Sequence, residues 1–402
     1  MSWRNVGVVY RKELTDSLRD RRTVISMIVV PILVMPIFTI GLGVLSVLLV
    51  GRAMLEVPRV MVLGGERSPS VLAALHALPD IRIVPARPDY AQEISGKAIR
   101  VAVAIPPDFD AAVSRGDAAI VRIFMFQGEL KSGFAANRMQ KFLADYRVRI
   151  VRERLQKRAL PARLADPFSI EEQNVAPPEK VSGALIGGLV PYFVILLCLT
   201  GAMYPAIDLT AGEKERGTIE TILCSPVSRL HLVLGKFFMV LTASLFSGLL
   251  AILSMSMTFL AGKKILEHLS SANNWASSLA VSPKAALWVF LMIVPLAVLL
   301  SAALLTIAVF AKSYKEAQSY LSPLTIFVIL PAIVSMLPGV EINARLALIP
   351  VLSTSLISSE IVAGTYHWNY IVLIFVSSCV YAAAALALAI RMFQREDVLF
   401  RT

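Results

Sequence analysis

The sequence predicts a polytopic α-helical membrane protein. It has six transmembrane helices, a re-entrant hairpin before the last of them, and an extracytoplasmic α/β domain inserted between spans one and two. Three observations predict this. Of 402 residues, 56% are hydrophobic and only 17% charged, a balance that soluble domains do not carry. Six apolar runs reach the roughly 20 residues a membrane-crossing helix needs. They are Val24–Val50, Leu185–Ile207, Phe237–Leu260, Ala285–Ala311, Tyr320–Leu337 and Tyr370–Met392. Between the first two runs, short β-rich stretches alternate with helical ones, which is the pattern of a compact domain rather than a loop.

Residues 1–23 are read as a cytoplasmic amphipathic connecting helix. Val9, Leu14 and Leu18 make its apolar face, and Arg11, Lys12, Arg19, Arg21 and Arg22 supply interfacial charge. The first span, 24–50, carries Pro31 and Pro36, which predict a kink. Its apolar run is too long and begins too late for a cleavable signal peptide.

Residues 51–180 form the extracytoplasmic domain. Its strands are expected at Val60–Leu63, Ile81–Val84, Val101–Ile105 and Ile120–Phe126, with a long helix near Ser132–Arg158 and a Pro-rich linker at Ala176–Glu179. Residues 181–402 hold spans two to six. Counting the weaker run Leu346–Ala363 as a full span would place Arg391, Arg395 and Arg401 outside, against the positive-inside rule. The region 338–367 is therefore read as re-entrant, with its backbone satisfied by protein or water. With the N-terminus inside, the Lys/Arg-bearing segments Asp208–Lys236 and Lys312–Lys315 and the C-terminal tail also fall inside.

The charged stretch 208–229, DLTAGEKERGTIETILCSPVSR, stands out between two apolar runs. Glu213, Lys214, Glu215, Arg216 and Glu220 lie beside an apolar stripe of Ile219, Ile222 and Leu223. That pattern predicts a surface helix presenting charge to a partner, closed by Ser225-Pro226.

Catalytic chemistry is not indicated. There is no GxxxxGK[ST] loop and no HExxH, the four histidines are scattered, and the three cysteines lie in or beside apolar segments. No metal site is expected. The net charge of +11 gathers at the ends of apolar runs, where it orients spans, so nucleic acid is not a partner. The spans are nearly free of ionisable residues, which argues against an ion-coupled carrier. Their neutral polar residues Tyr192, Thr200, Thr242, Ser244, Ser301 and Thr306 are candidates for lining a pathway, and the bland reading is that they glue helices together.

The coupling-type segment DLTAGEKERGTIETILCSPVSR resembles that of ABC-type exporter permeases with a large ectodomain. Three further segments, Lys12–Thr23, Phe310–Leu324 and Leu337–Trp368, resemble the sodium-extrusion, NatB-like branch. The resemblance implies a half-transporter in the cell membrane. Two such subunits, identical or different, would pair in the lipid bilayer, each docked on a separate ABC ATPase subunit. No cofactor would bind this chain, because ATP would sit on the partner. By the same likeness Lys12 and Glu13 belong to the connecting helix. Asp208, Glu213, Lys214, Glu215, Arg216, Gly217, Thr218 and Glu220 belong to the coupling helix, and Lys312, Lys315 and Glu316 to the second cytoplasmic loop. The implied cargo is the sodium ion. A lipid, peptide or drug is the alternative, and a ligand-sensing membrane anchor is the alternative of another class.

Overall fold

The computed structural model describes residues 3–161, 164, 187–218, 221, 226–269, 282–337, 340 and 342–395. The Ala176–Glu179 linker, Glu220 and the stripe residues Ile219, Ile222 and Leu223 lie outside them. The chain divides into two compact units, Met1–Gly41 with Val175–Thr402, and Leu42–Asn174.

Six helices of the described residues are long and apolar enough to cross a membrane: Arg21–Gly41, Leu189–Glu215, Arg229–Ala261, Pro283–Ala308, Tyr314–Val334 and Trp368–Gln394. They answer one for one to the six apolar runs, with ends moved by capping chemistry that hydropathy does not see. The first begins at Arg21 because Asp20 caps it, accepting hydrogen bonds from the Thr23 amide at 2.9 Å and the Thr23 hydroxyl at 2.8 Å. The fifth begins at Tyr314 because the Ser313 side chain caps the Glu316 amide. Glu316 in turn accepts from the Lys312 amide at 2.7 Å.

The second span is the hub. Of its most apolar window 72% is buried, against 22% for the first, fifth and sixth spans. It packs along the third and fourth spans, and the helix Trp3–Arg19 lies against the third. Small residues permit that closeness. A Cβ on Gly201 would collide with Ser247, and one on Gly248 with the sulfur of Cys198. Hydroxyls bind the seam: Ser244 donates to the Cys198 carbonyl at 3.1 Å and Ser247 to the Met27 carbonyl at 3.0 Å.

The run Leu346–Ala363 is not a continuous helix. A 3₁₀ turn, Leu346–Leu348, leads through Pro350 to the eleven-residue helix Leu352–Val362. At 1.5 Å per residue that helix is about 16 Å long, roughly half a bilayer's hydrocarbon core, and cannot cross it. Its residues are nonetheless almost all buried, against the second and fourth spans.

The other unit is α/β. Strands β1 (Arg59–Gly64), β2 (Arg82–Val84), β3 (Val101–Ile105) and β4 (Arg122–Met125) form one sheet in the order β2-β1-β3-β4. β1 runs parallel to β2 and β3, and β4 is antiparallel to β3. Alternation divides the strand residues between two faces. Val60, Val62, Val101 and Val103 bury against Met139 and Phe142 of the helix Leu130–Lys157, while Met61 and Ala102 pack with Ile94 and Ile99. Arg100 closes one end by pairing with Glu56 at 2.9 Å and Glu129 at 2.7 Å.

Candidate functional site

The second span does not stop where its apolar run stops. Its helix continues through a π-helical stretch, Asp208–Gly212, into Glu213–Glu215. Gly217 then adopts φ +67°, a left-handed conformation that ends the helix at little cost for glycine. This corrects the expected helix register. Glu213, Lys214 and Glu215 form the last turn of the span rather than the first turn of a surface helix, because nothing before Gly217 interrupts the backbone ladder. Arg216 folds back over this turn and pairs with Asp208 at 2.8 Å. The Thr218 hydroxyl donates to the Glu213 carbonyl at 3.2 Å.

That placement puts Glu213 inside the protein. It is 5% exposed and forms an ion pair with Lys236, which is 1% exposed and also donates to the Leu209 carbonyl at 2.7 Å. The connecting helix meets the same spot. Glu13 is 2% exposed and receives the Lys12 ammonium at 3.1 Å, and Lys12 also reaches Asp16 at 3.4 Å. Partial burial pulls the Lys12 ammonium pKa down, but the carboxylates of Glu13, Glu213 and Asp16 together outweigh it and hold the value above the ordinary lysine value. A cleft of about 320 Å³ opens here, lined by Lys12, Glu13, Asp16, Asp208, Glu213 and Arg216.

The loop between the fourth and fifth spans is tied to the same turn. The Tyr314 amide donates to the Glu215 carboxylate at 2.7 Å, and the Lys214 ammonium donates to the Val309 carbonyl. Glu316 holds the start of the fifth span, and Lys315 is exposed. The structure therefore brings together the three segments that the sequence offered separately. Glu13 and Glu213 are committed to buried partners, and the outward-facing charge is carried by Lys12, Asp16, Glu215, Arg216, Lys312 and Lys315.

Sequence reasoning missed Lys236. It abuts the apolar run beginning at Phe237 and reads as one more flanking positive charge. Its one signal was position: it follows Gly235, whose bare Cα lets the connecting helix approach so closely that a Cβ would collide with Val9.

Most of the pathway candidates are spent on structure. Thr200 donates to the Leu196 carbonyl at 3.0 Å and Thr306 to the Ala302 carbonyl at 2.7 Å. Thr242 donates to the Phe238 carbonyl at 2.7 Å and lies 3.1 Å from the Tyr10 hydroxyl, while Ser244 bonds across the seam. Tyr192 packs edge-on to Phe193. Ser301 differs: it is fully buried with no hydrogen-bond partner among the described residues.

Six apolar helices, a buried charge cluster at one end of the bundle and a separate α/β unit define a multi-span membrane protein. Residues 21–391 match the family described as ABC-2 family transporter protein, and the chain belongs to that family. It is similar to the ABC transporter permease protein NatB of Bacillus subtilis (strain 168), with 27% identity over 363 residues, covering 89% of each chain. It also resembles the probable multidrug ABC transporter permease YbhS of Escherichia coli (strain K12), with 25% identity over 284 residues, 67% of this chain and 70% of that one. No solved structure matches significantly. The chain is thus a membrane permease subunit of an ABC transporter, a class whose ATPase is a separate subunit.

Proposed function

We propose that this chain is the permease half of an ATP-driven exporter of sodium ions, with both termini in the cytoplasm and the α/β unit on the outer face. It pairs with a second permease subunit and docks on an ATPase subunit through the cluster around Glu213. The observation that carries the docking role is the convergence there of the connecting helix, the second span's last turn and the loop before the fifth span. A push on one is delivered to all three. Buried, hydrogen-bonded ion pairs resist displacement, because separating them leaves charge in an apolar interior. The outward charges of Lys12, Asp16 and Arg216 suit charge-assisted contacts with a complementary groove.

Sodium is supported by the likeness to NatB along 89% of the chain. The test is ATP-dependent sodium uptake into inside-out vesicles holding this chain and its ATPase partner. Uptake that persists when the ATPase is inactivated would remove the sodium assignment. A second reading, export of an apolar or amphiphilic compound, is favoured by the likeness to YbhS. It is favoured too by the lack, among the described residues, of any group of three or more acidic, His or Cys side chains able to hold a metal ion. Competition by such compounds for ATP-driven flux decides between the two.

A further inference from the structure

The core of the α/β unit stops short on one side. Where the helix Leu130–Lys157 begins to cover the sheet, Met139 and Phe142 bury against Val60, Val62, Val101 and Val103. Further along the same helix, Leu143 and Tyr146, with Val121 and Ile123, pack against that core yet stay only partly buried. Close-packed interiors hold few spaces larger than a water molecule. Here a groove of about 520 Å³ opens instead. One wall is the stripe Leu143, Arg147, Ile150 and Arg154, whose spacing of three and four sets it on one side of the helix, with Val151 beside it. The other wall is Phe109 and Val113 of the helix Phe109–Arg115, together with Val121 and Ile123. From Gln140 to Arg154 the helical wall runs about 21 Å by its rise per residue.

The charge in this groove has one sign. Arg147 and Arg154 line it, and no acidic residue does. Arg154 is committed: it donates to the Val113 carbonyl and so ties the two walls together. Other arginines of the same helix also have partners. Arg138 donates to the Asp80 carbonyl at 2.9 Å, and Arg149 lies 5.4 Å over the Tyr146 ring. Arg147 alone of the groove's charges makes no hydrogen bond or ion pair among the described residues. An unpaired guanidinium set in an apolar wall calls for an anion whose remaining surface is apolar.

We infer that this groove binds a single-chain carboxylic amphiphile, its apolar body against Phe109, Val113, Ile150 and Val151 and its carboxylate on the Arg147 guanidinium. Size, walls and charge each restrict the occupant. The groove has the volume of a small-molecule site, for which about 300–1,000 Å³ is usual. Its walls reward burial of apolar surface. Their neutral polar side chains are Gln140 and Tyr146, too few to satisfy a sugar or a stretch of peptide backbone. Two guanidiniums exclude a cation, and the planar fork of Arg147 matches a carboxylate with two parallel hydrogen bonds. The groove lies wholly within the α/β unit, so the inference holds whichever cargo the spans move.

The test is photolabelling of the full chain in nanodiscs of neutral phosphatidylcholine. The probe is palmitic acid carrying a diazirine in its chain, with adducts mapped by mass spectrometry. Adducts on the apolar spans give the reference for simple partition into lipid. Labelling should appear on both walls, within 109–123 and 140–154, and unlabelled palmitate should compete it away. The alcohol of the same chain should label the spans equally and the groove about fivefold less, the worth of roughly one charge-assisted contact at an open site. Arg147→Gln should lower groove labelling by the acid to a similar extent, and Arg147→Lys should fall between it and wild type. Lys141→Gln removes a charge from the same helix outside the groove and should change nothing. Val151→Trp, whose ring fills the open space, should abolish groove labelling. Hydrogen-exchange protection across Leu130–Lys157 checks that each variant is folded. Absence of groove labelling in the wild type overturns the site. So does equal labelling by acid and alcohol, or labelling that survives both Arg147→Gln and Val151→Trp.

Discussion

Replacing Lys236 by methionine isolates the feature on which the docking cluster depends. Methionine nearly matches the lysine stem in length, so packing is kept while the charge is removed. Two interactions go: the ion pair with Glu213 and the hydrogen bond to the Leu209 carbonyl. Glu213 remains, 5% exposed, without its main counter-charge. Breaking a buried pair on one side costs about 3–5 kcal/mol, and the carbonyl bond adds about 1 kcal/mol. Lys12 lies close enough to influence Glu213 but is committed to Glu13 and half exposed, so it offsets only part of this. The expected loss for Lys236→Met is therefore about 3–5 kcal/mol. In Lys236→Met with Glu213→Met no stranded charge remains, and that double variant should recover most of the loss, giving a coupling energy above about 2 kcal/mol. The assay is equilibrium denaturant unfolding of the purified chain in detergent, run as a double-mutant cycle. A single variant within about 0.5 kcal/mol of wild type, the range of an ordinary surface change, would refute the reasoning. So would a double variant as damaged as the two singles added together.

Three other outcomes are expected. Gly235→Ala drives a Cβ into the Val9 side chain, so it should loosen the connecting helix, and Val9→Ala should rescue it, read by hydrogen exchange across Trp3–Arg19. Reversing Glu215 and Arg216 together should lower cargo-stimulated ATPase activity of the assembled complex while the chain stays folded; unchanged stimulation would count against the docking assignment. In the α/β unit, hydrogen bonds from Lys131 and Arg100 hold the Glu56 carboxyl below its usual value of 4.5. A depressed carboxylate stabilises the fold above its unfolded pKa and loses that contribution as pH falls through the folded one. Hydrogen-exchange protection around β3 should therefore be steady at neutral pH and decline below about pH 4.5, and Glu56→Gln should remove this part of the decline.

The six spans were legible because bilayer thickness imposes a length and a composition that any reading of hydropathy detects. The strands β1 and β3 were legible because both faces of the sheet are covered, which makes each a short continuous apolar run bounded by polar segments. The end of the second span was misread for a local reason. Glu213, Lys214 and Glu215 look like the start of a solvated helix, since charge clustered after an apolar run ordinarily meets water. Here the counter-charge comes from Lys236 on another helix, and no pattern within either segment records that pairing.

Composition and period alone predicted six helices long and apolar enough to cross a membrane and, between the first two in sequence, an α/β unit. These follow from forces acting along the chain: apolar transfer, backbone hydrogen bonding and the period of each element. The tertiary structure decided which charges are buried and paired, that the connecting helix and the loop before the fifth span meet the end of the second, and that the buried hydroxyls of Ser301, Tyr314, Thr354 and Ser358 find no hydrogen-bond partner among the described residues. Those outcomes depend on what lies across a helix interface. Side chains distant in sequence reach it together only once the bundle has packed.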